Sequence, residues 1–124
     1  MKKFLLFIGV FITVCSFISI SFDEVIKAIK SGDAAQVSSY FDNTVEITMP
    51  DKSNSYSKSQ AELVLREFFA ANTVKDFEIL HKSSNSGSQY CIGNLKTNNG
   101  IFRTTIFMKQ KGDKELLQEL RFER

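Results

Sequence analysis

His81 is the only histidine of the 124-residue chain, and Cys91 is the only cysteine after Cys15. An imidazole beside a thiol can withdraw its proton and create a nucleophile, so the two form a catalytic pair if their segments are neighbours. The plainer alternative, a buried small cysteine and a histidine at a strand end, is preferred. His81 acting alone as a general base fares little better than the pair, because an ordinary imidazole titrates near neutral pH wherever it sits. One histidine and one cysteine cannot supply a four-ligand zinc site. Asp42, Glu46 and Asp51 are acids that could face a calcium ion, but they lack the regular ligand spacing of an EF-hand loop. Solvated turn acids are the better expectation, and no metal or other cofactor is implied.

Arg103 sits inside an apolar run between Phe102 and Thr104. Facing inward it would need an anionic ligand or a carboxylate partner, because an unpaired buried charge is prohibitively costly. Facing outward it would pair across strands with an acid such as Glu119, which is the preferred arrangement. Tyr40, Tyr56 and Tyr90 stand singly without flanking basic runs. A stacking platform for single-stranded nucleic acid interleaves aromatic and basic residues along one face, and that pattern is missing.

The elements that must position these groups follow from periodicity. FDEVIKAIKSGD is an amphipathic helix stopped at Gly32, and Asp33 caps a second short helix, AAQVSSYFD. TVEITM alternates as a half-buried strand ended by Pro50. After a polar loop with a short extended piece near Tyr56, Ser57 and Gln60 have the spacing that starts a long helix, SQAELVLREFFAAN. Period two then takes over in VKDFEILHK, in SQYCIGNLKT and GIFRTTIFMKQK joined across Asn98-Asn99-Gly100, and in ELLQELRFER after a turn at KGDK. The last segment has helical propensity, but its position after a hairpin favours a strand. Helices followed by a run of strands define an α+β domain with an antiparallel sheet.

Within the long helix, adjacent residues point about 100° apart. Ala61, Val64, Leu65, Phe68, Phe69 and Ala71 then share an arc of roughly 160°, with Leu63 outside it. Phe68 falls near its centre and is expected in the core. Phe69 falls at its edge, where it could line or close a pocket.

Lys2 and Lys3, the apolar run Phe4 to Ile18 and the small residues Ser19 and Ser21 have the layout of a secretory signal peptide over residues 1–21, cut near Phe22. The expected location is therefore periplasmic or extracellular, with no membrane attachment after cleavage. Lipidation at Cys15 is less favoured, because Val14 stands where a small residue is wanted. Removing residues 1–21 from 124 leaves 103, a single domain over 22–124, and leaves 14 basic against 14 acidic residues. A neutral chain carries no basic nucleic-acid footprint. A lone Cys91 permits no internal disulfide, so the domain must rest on its core.

Three stretches together carry a resemblance: AIKSGDAAQVSSYFD leading to VEITM, YSKSQAELVLREFFAAN, and YCIGNLKTNNGIFRTTIFM. They resemble the cone-shaped fold of nuclear transport factor two, shared by ketosteroid isomerases and polyketide cyclases of the SnoaL type. More closely, they resemble an uncharacterised family of small exported bacterial proteins known as a domain of unknown function. The resemblance implies N-terminal helices and one long helix packed on a curved antiparallel sheet, a pocket at the open end of the cone, and dimerisation through the sheet. It implies no activity, because the fold hosts enzymes, binding modules and assembly domains alike. In isomerase-like relatives one acid moves a proton while a tyrosine and a second acid polarise a carbonyl, and no matching set can be placed here. Asp76 and Glu78 alternate away from Phe77 and Ile79 and receive no catalytic role.

The expected function is a non-enzymatic module that binds a small hydrophobic ligand or a protein, with Phe69, His81 and Arg103 at the pocket edge or with the outer sheet face. The alternatives are an isomerase, cyclase or lyase with its site in the cone, and a structural homodimer. In the last, the cone is filled by the eight phenylalanines beyond residue 21.

Overall fold

The computed structural model describes residues 20–124. The signal-peptide expectation therefore lies outside the described residues, Cys15 included, except for Ile20 and Ser21, which open the first helix. That helix, α1 (Ile20–Ser31), buries Phe22, Val25, Ala28 and Ile29, a stripe at helical spacing. It ends because Gly32 adopts φ +69°. The Gly32 amide then donates to Ile29 O at 3.0 Å and the Asp33 amide to Ala28 O at 2.9 Å, the paired bonds of a Schellman cap. Asp33 in turn accepts from the Gln36 amide at 3.0 Å and starts α2 (Ala34–Ser38).

The second helix is shorter than its periodicity suggests. The chain leaves it after Ser38, and Phe41 already belongs to β1 (Phe41–Met49). The Leu117 amide donates to Tyr40 O at 2.7 Å, so pairing with the last strand captures Tyr40 and Phe41 before another helical turn can form. β2 (Lys52–Ser57) follows, and Ser57 then caps α3 (Lys58–Ala71) through a 3.3 Å bond from the Gln60 amide. The remaining chain is β3 (Val74–Asn85), β4 (Ser88–Thr97), β5 (Gly100–Lys111) and β6 (Lys114–Glu123).

The six strands form one sheet in the order β2-β1-β6-β5-β4-β3. Four of its five pairings are antiparallel, and β1 with β6 is parallel. Helices on one face of a curved, mainly antiparallel sheet make this an α+β fold. The curvature has a local cause. Leu80 is the extra residue of a bulge between Ile79 and His81, and Ile79 is opposite Gly93. A Cβ on Gly93 would lie 2.6 Å from both Cζ of the Phe77 ring and Glu78 O, so only glycine admits that ring. The same bulge leaves Ile79 and Leu80 exposed.

A second irregularity settles the face of β6. Its pairing with β5 shifts between Phe107 and Met108, at Gln118. Leu117, Leu120 and Phe122 can therefore all point inward, which strict alternation would forbid. On the inner side Phe68 stacks on Phe122 at 4.3 Å between centroids and meets Phe102 edge-on at 5.1 Å. Phe22, Phe41, Phe68, Phe69, Phe77, Phe102 and Phe122 are all buried, so the interior of the cone is occupied by the protein's own rings. Among the described residues, no helix is long and apolar enough to cross a membrane.

Candidate functional site

The residues with the most obvious chemistry do not converge. His81 pairs with Ile92 on the outer face of the sheet, exposed, its ring 5.7 Å from that of Tyr90. Cys91 lies one ladder step away opposite Lys82, but on the inner face and fully buried. Burial pushes the thiol up to about 11, so at neutral pH it is a packed thiol rather than a thiolate. The thiol–imidazole pair is not assembled.

Arg103 also lies on the outer face, exposed, opposite Asn94 and Glu123. The expected partnership with Glu119 is corrected by the register. Glu119 and Glu123 are both held by Arg121, at 3.4 and 3.2 Å, because those three side chains alternate along one face of β6. The Glu123 and Glu119 carboxylates raise the proton affinity of the Arg121 guanidinium further. His81 and Arg103 are thus away from the cone mouth and from Phe69. Phe69 is 9% exposed and edges a shallow groove of about 560 Å³ between the α1–α2 corner and α3, with Asp33, Arg66 and Ala70. Asp76 and Glu78 point away from the interior, as expected, and pair with Lys30 at 3.5 Å and Lys96 at 3.7 Å.

The three acids considered for calcium are separated. Asp42 is a correction to the solvated-turn expectation, because it is buried where β1 swings away from β6 between Phe41 and Glu46. Lys111 Nζ lies 2.9 Å from its carboxylate, Gln118 Nε2 donates at 2.9 Å, and the Asn43 amide donates at 2.7 Å. The bonds to Lys111 and Gln118 hold the carboxyl down at about 2, against the opposing effect of burial. Glu46 is exposed on β1, and Asp51 lies in the β1–β2 turn. No group of three metal-ligating side chains occurs among the described residues.

A concavity of about 480 Å³ lies at the β3–β4 turn. A further one, the mouth, is a cleft of about 600 Å³ beside the C-terminal end of α3. Its α3 wall is Val64, Glu67, Phe68 and Ala71, one helical face, and Asn72 ends that wall. The opposite wall is Phe102 of β5, with the Arg124 guanidinium 4.5 Å above its ring. Met49, Pro50, Asp51 and Lys52 close the side at the β1–β2 turn. The corner is held by amide bonds. Asn99 Nδ2 donates to Ala71 O at 2.7 Å and to Asn72 Oδ1 at 3.0 Å, while Asn98 Oδ1 accepts from the Thr73 amide at 2.9 Å. The β4–β5 turn is therefore pinned to the end of α3.

The cleft has an apolar floor, chiefly Phe68, Phe102 and Val64, and a rim of Asp51, Lys52, Glu67 and Arg124. Among the described residues none of those four charges is in an ion pair. Such a surface can desolvate an apolar body and orient a polar one. It holds no nucleophile–base pair. Asp42, Cys91 and Arg121, whose proton affinities are displaced, all lie outside it. Phe102 and Arg124 carried no signal of this role in the sequence, because their meeting depends on how β6 is placed beside β5. The Asn98-Asn99-Gly100 turn was legible as a hairpin, but not as the tether of α3.

The family profile described as Domain of unknown function (DUF4783) matches residues 22–123. The crystal structure of a DUF4783 family protein from Bacteroides ovatus is 31% identical, with a TM-score of 0.78 over 82% of this chain and 92% of that one. One from Bacteroides uniformis is 28% identical, with a TM-score of 0.79 over 82% and 94% of the two chains. A nuclear-transport-factor-two-like protein of unknown function from Cytophaga hutchinsonii is 8% identical, with a TM-score of 0.60 over 82% and 84%, a likeness of fold alone. No curated protein matches the chain.

Proposed function

The chain belongs to the DUF4783 family of domains of unknown function, and on that premise we propose that it is a non-enzymatic binding module, acting in the periplasm or outside the cell. Its binding surface is the cone mouth. One observation carries this reading: the interior is filled by seven phenylalanines, while the mouth keeps a concave floor of Phe68, Phe102 and Val64 under a charged rim. The groups with catalytic potential, His81 and Cys91, face opposite sides of the sheet. Phe69 edges a separate groove, and His81 and Arg103 belong to the outer face.

The test is binding of a neutral apolar probe, 2-phenylethanol, followed by amide chemical shifts. Saturable shifts at Ala71, Asn72 and Phe102 support the reading. Absence of binding at millimolar concentrations by this probe and by its charged phenyl analogues, or shifts confined to another surface, removes it.

A homodimer through the outer face is a second reading, favoured by the half-buried row Tyr90, Ile92 and Phe107 across β4 and β5. Light scattering on the wild type and on Phe107→Asp tests it. A wild-type monomer across the micromolar range ends it.

A further inference from the structure

We propose that the cone mouth takes a zwitterion with an apolar body, an ammonium and a carboxylate carried on the same carbon, as in a free α-amino acid with an aromatic or large aliphatic side chain. This inference rests on the reading of the mouth as a binding surface and adds the class of ligand. A cleft of about 600 Å³ admits a ligand of that size with room for water. Its floor offers Val64, Met49 and the part of Phe68 left uncovered, against which a further ring or branched chain can pack, while Arg124 covers Phe102.

The rim selects the charges. Glu67 stands on the α3 wall and Arg124 on the sheet wall, with Asp51 in the β1–β2 turn and Lys52 at the start of β2. Acid and base therefore line the same cleft from opposed elements, and none of the four is neutralised by an ion pair among the described residues. Arg124 stacks its guanidinium on Phe102, which leaves its N–H edge available for a carboxylate. A ligand with one charge would meet one wall only, the opposite sign staying solvated. A zwitterion satisfies both, the ammonium at Glu67 and the carboxylate at Arg124. An uncharged ligand would use only the floor.

Four probes with a common phenyl body separate these cases: L-phenylalanine, 3-phenylpropionate, 2-phenylethylamine and 2-phenylethanol. Each is titrated into the protein by calorimetry, with amide shifts to locate the site. Phenylalanine is expected to bind about tenfold tighter than either singly charged probe, the effect of one further charge-assisted hydrogen bond. Glu67→Gln should bring phenylalanine down to the affinity of 3-phenylpropionate, and Arg124→Gln to that of 2-phenylethylamine. Equal affinities across the four probes overturn the zwitterion while leaving the mouth a binding surface. A singly charged probe that matches phenylalanine also overturns it. If phenylalanyl-glycine binds as tightly as phenylalanine, the ligand is a peptide end and the assignment to a free amino acid fails. If no probe shifts the mouth amides, the underlying reading fails as well.

Discussion

Along β5, Phe102, Thr104, Ile106 and Met108 are buried, while Ile101, Arg103 and Lys109 between and beyond them are exposed. The neighbouring strand β4 divides likewise, with Cys91 and Leu95 inside and Tyr90, Asn94 and Lys96 outside. Aromatic rings are concentrated on the concave side, where they exclude water and fill space. Most titratable side chains of these two strands lie on the convex side, exposed or half-buried. Catalysis needs polar groups inside a concavity. This sheet divides its own reactive side chains between the two sides, with Cys91 within and His81 without.

That separation can be broken from the inside. Phe122→Ala and Phe68→Ala should each cost about 3–5 kcal/mol of unfolding free energy, because Phe68 stacks on Phe122 in a packed interior. Urea denaturation measures both. Phe69→Ala should cost less than Phe68→Ala, since Phe69 borders an open groove whereas Phe68 also packs on Phe102 and Phe122. Equal losses would show that the groove gives Phe69 no relief.

Gly93→Ala comes next, at about 1–3 kcal/mol, because the new methyl meets both a ring and a backbone oxygen. The double change Gly93→Ala with Phe77→Leu should recover part of the loss by removing the ring. Failure to recover would assign the strain to Glu78 O instead.

Asp42 tests a charge that is buried at the edge between β1 and β6. Its folded-state value of about 2 lies below the ordinary 3.8, so its stabilisation is present above about pH 4 and is lost as the pH falls towards 2. With Lys111 half-exposed, the contribution is on the order of 1–2 kcal/mol. Urea midpoints at pH 5 and pH 2 should converge between wild type and Asp42→Asn as the acid limit is approached. On the convex side Arg103→Ala should change stability by less than about 0.5 kcal/mol. A larger loss would mean that the outer face does more for the fold than its exposure implies.

Much of the architecture was legible because each element had a local cause. The Ser57 cap, the Gly32 stop, the Asn98-Asn99-Gly100 turn and the broad apolar arc of α3 are properties of short stretches. Where local pattern failed, a distant strand had intervened. Tyr40 and Phe41 left their expected helix to join β6, and Gln118 shifted the alternation of ELLQELR so that Leu117 and Leu120 share a face. The site was less legible than the fold for the same reason. Asp42 looked like a turn acid because Lys111 and Gln118 reach it only once β5 and β6 are in place. The mouth joins residues from α3, β5, the β1–β2 turn and the end of the chain's last strand, which no spacing rule connects.

The parallel pairing of β1 with β6 has a consequence for the order in which the molecule can be made. Since β6 lies between β1 and β5, the β1–β2 hairpin has no place in the sheet until residues 114–123 exist. Chain synthesis from the N-terminus leaves Val45 and Ile47 waiting until β2, α3 and β3 to β5 have been made, and the long intervening loop must close before that contact repays its entropy. The first strand formed is thus among the last to be seated. A nascent chain stopped short of Lys114 would present the edge of β1 to any chaperone or neighbouring strand that met it.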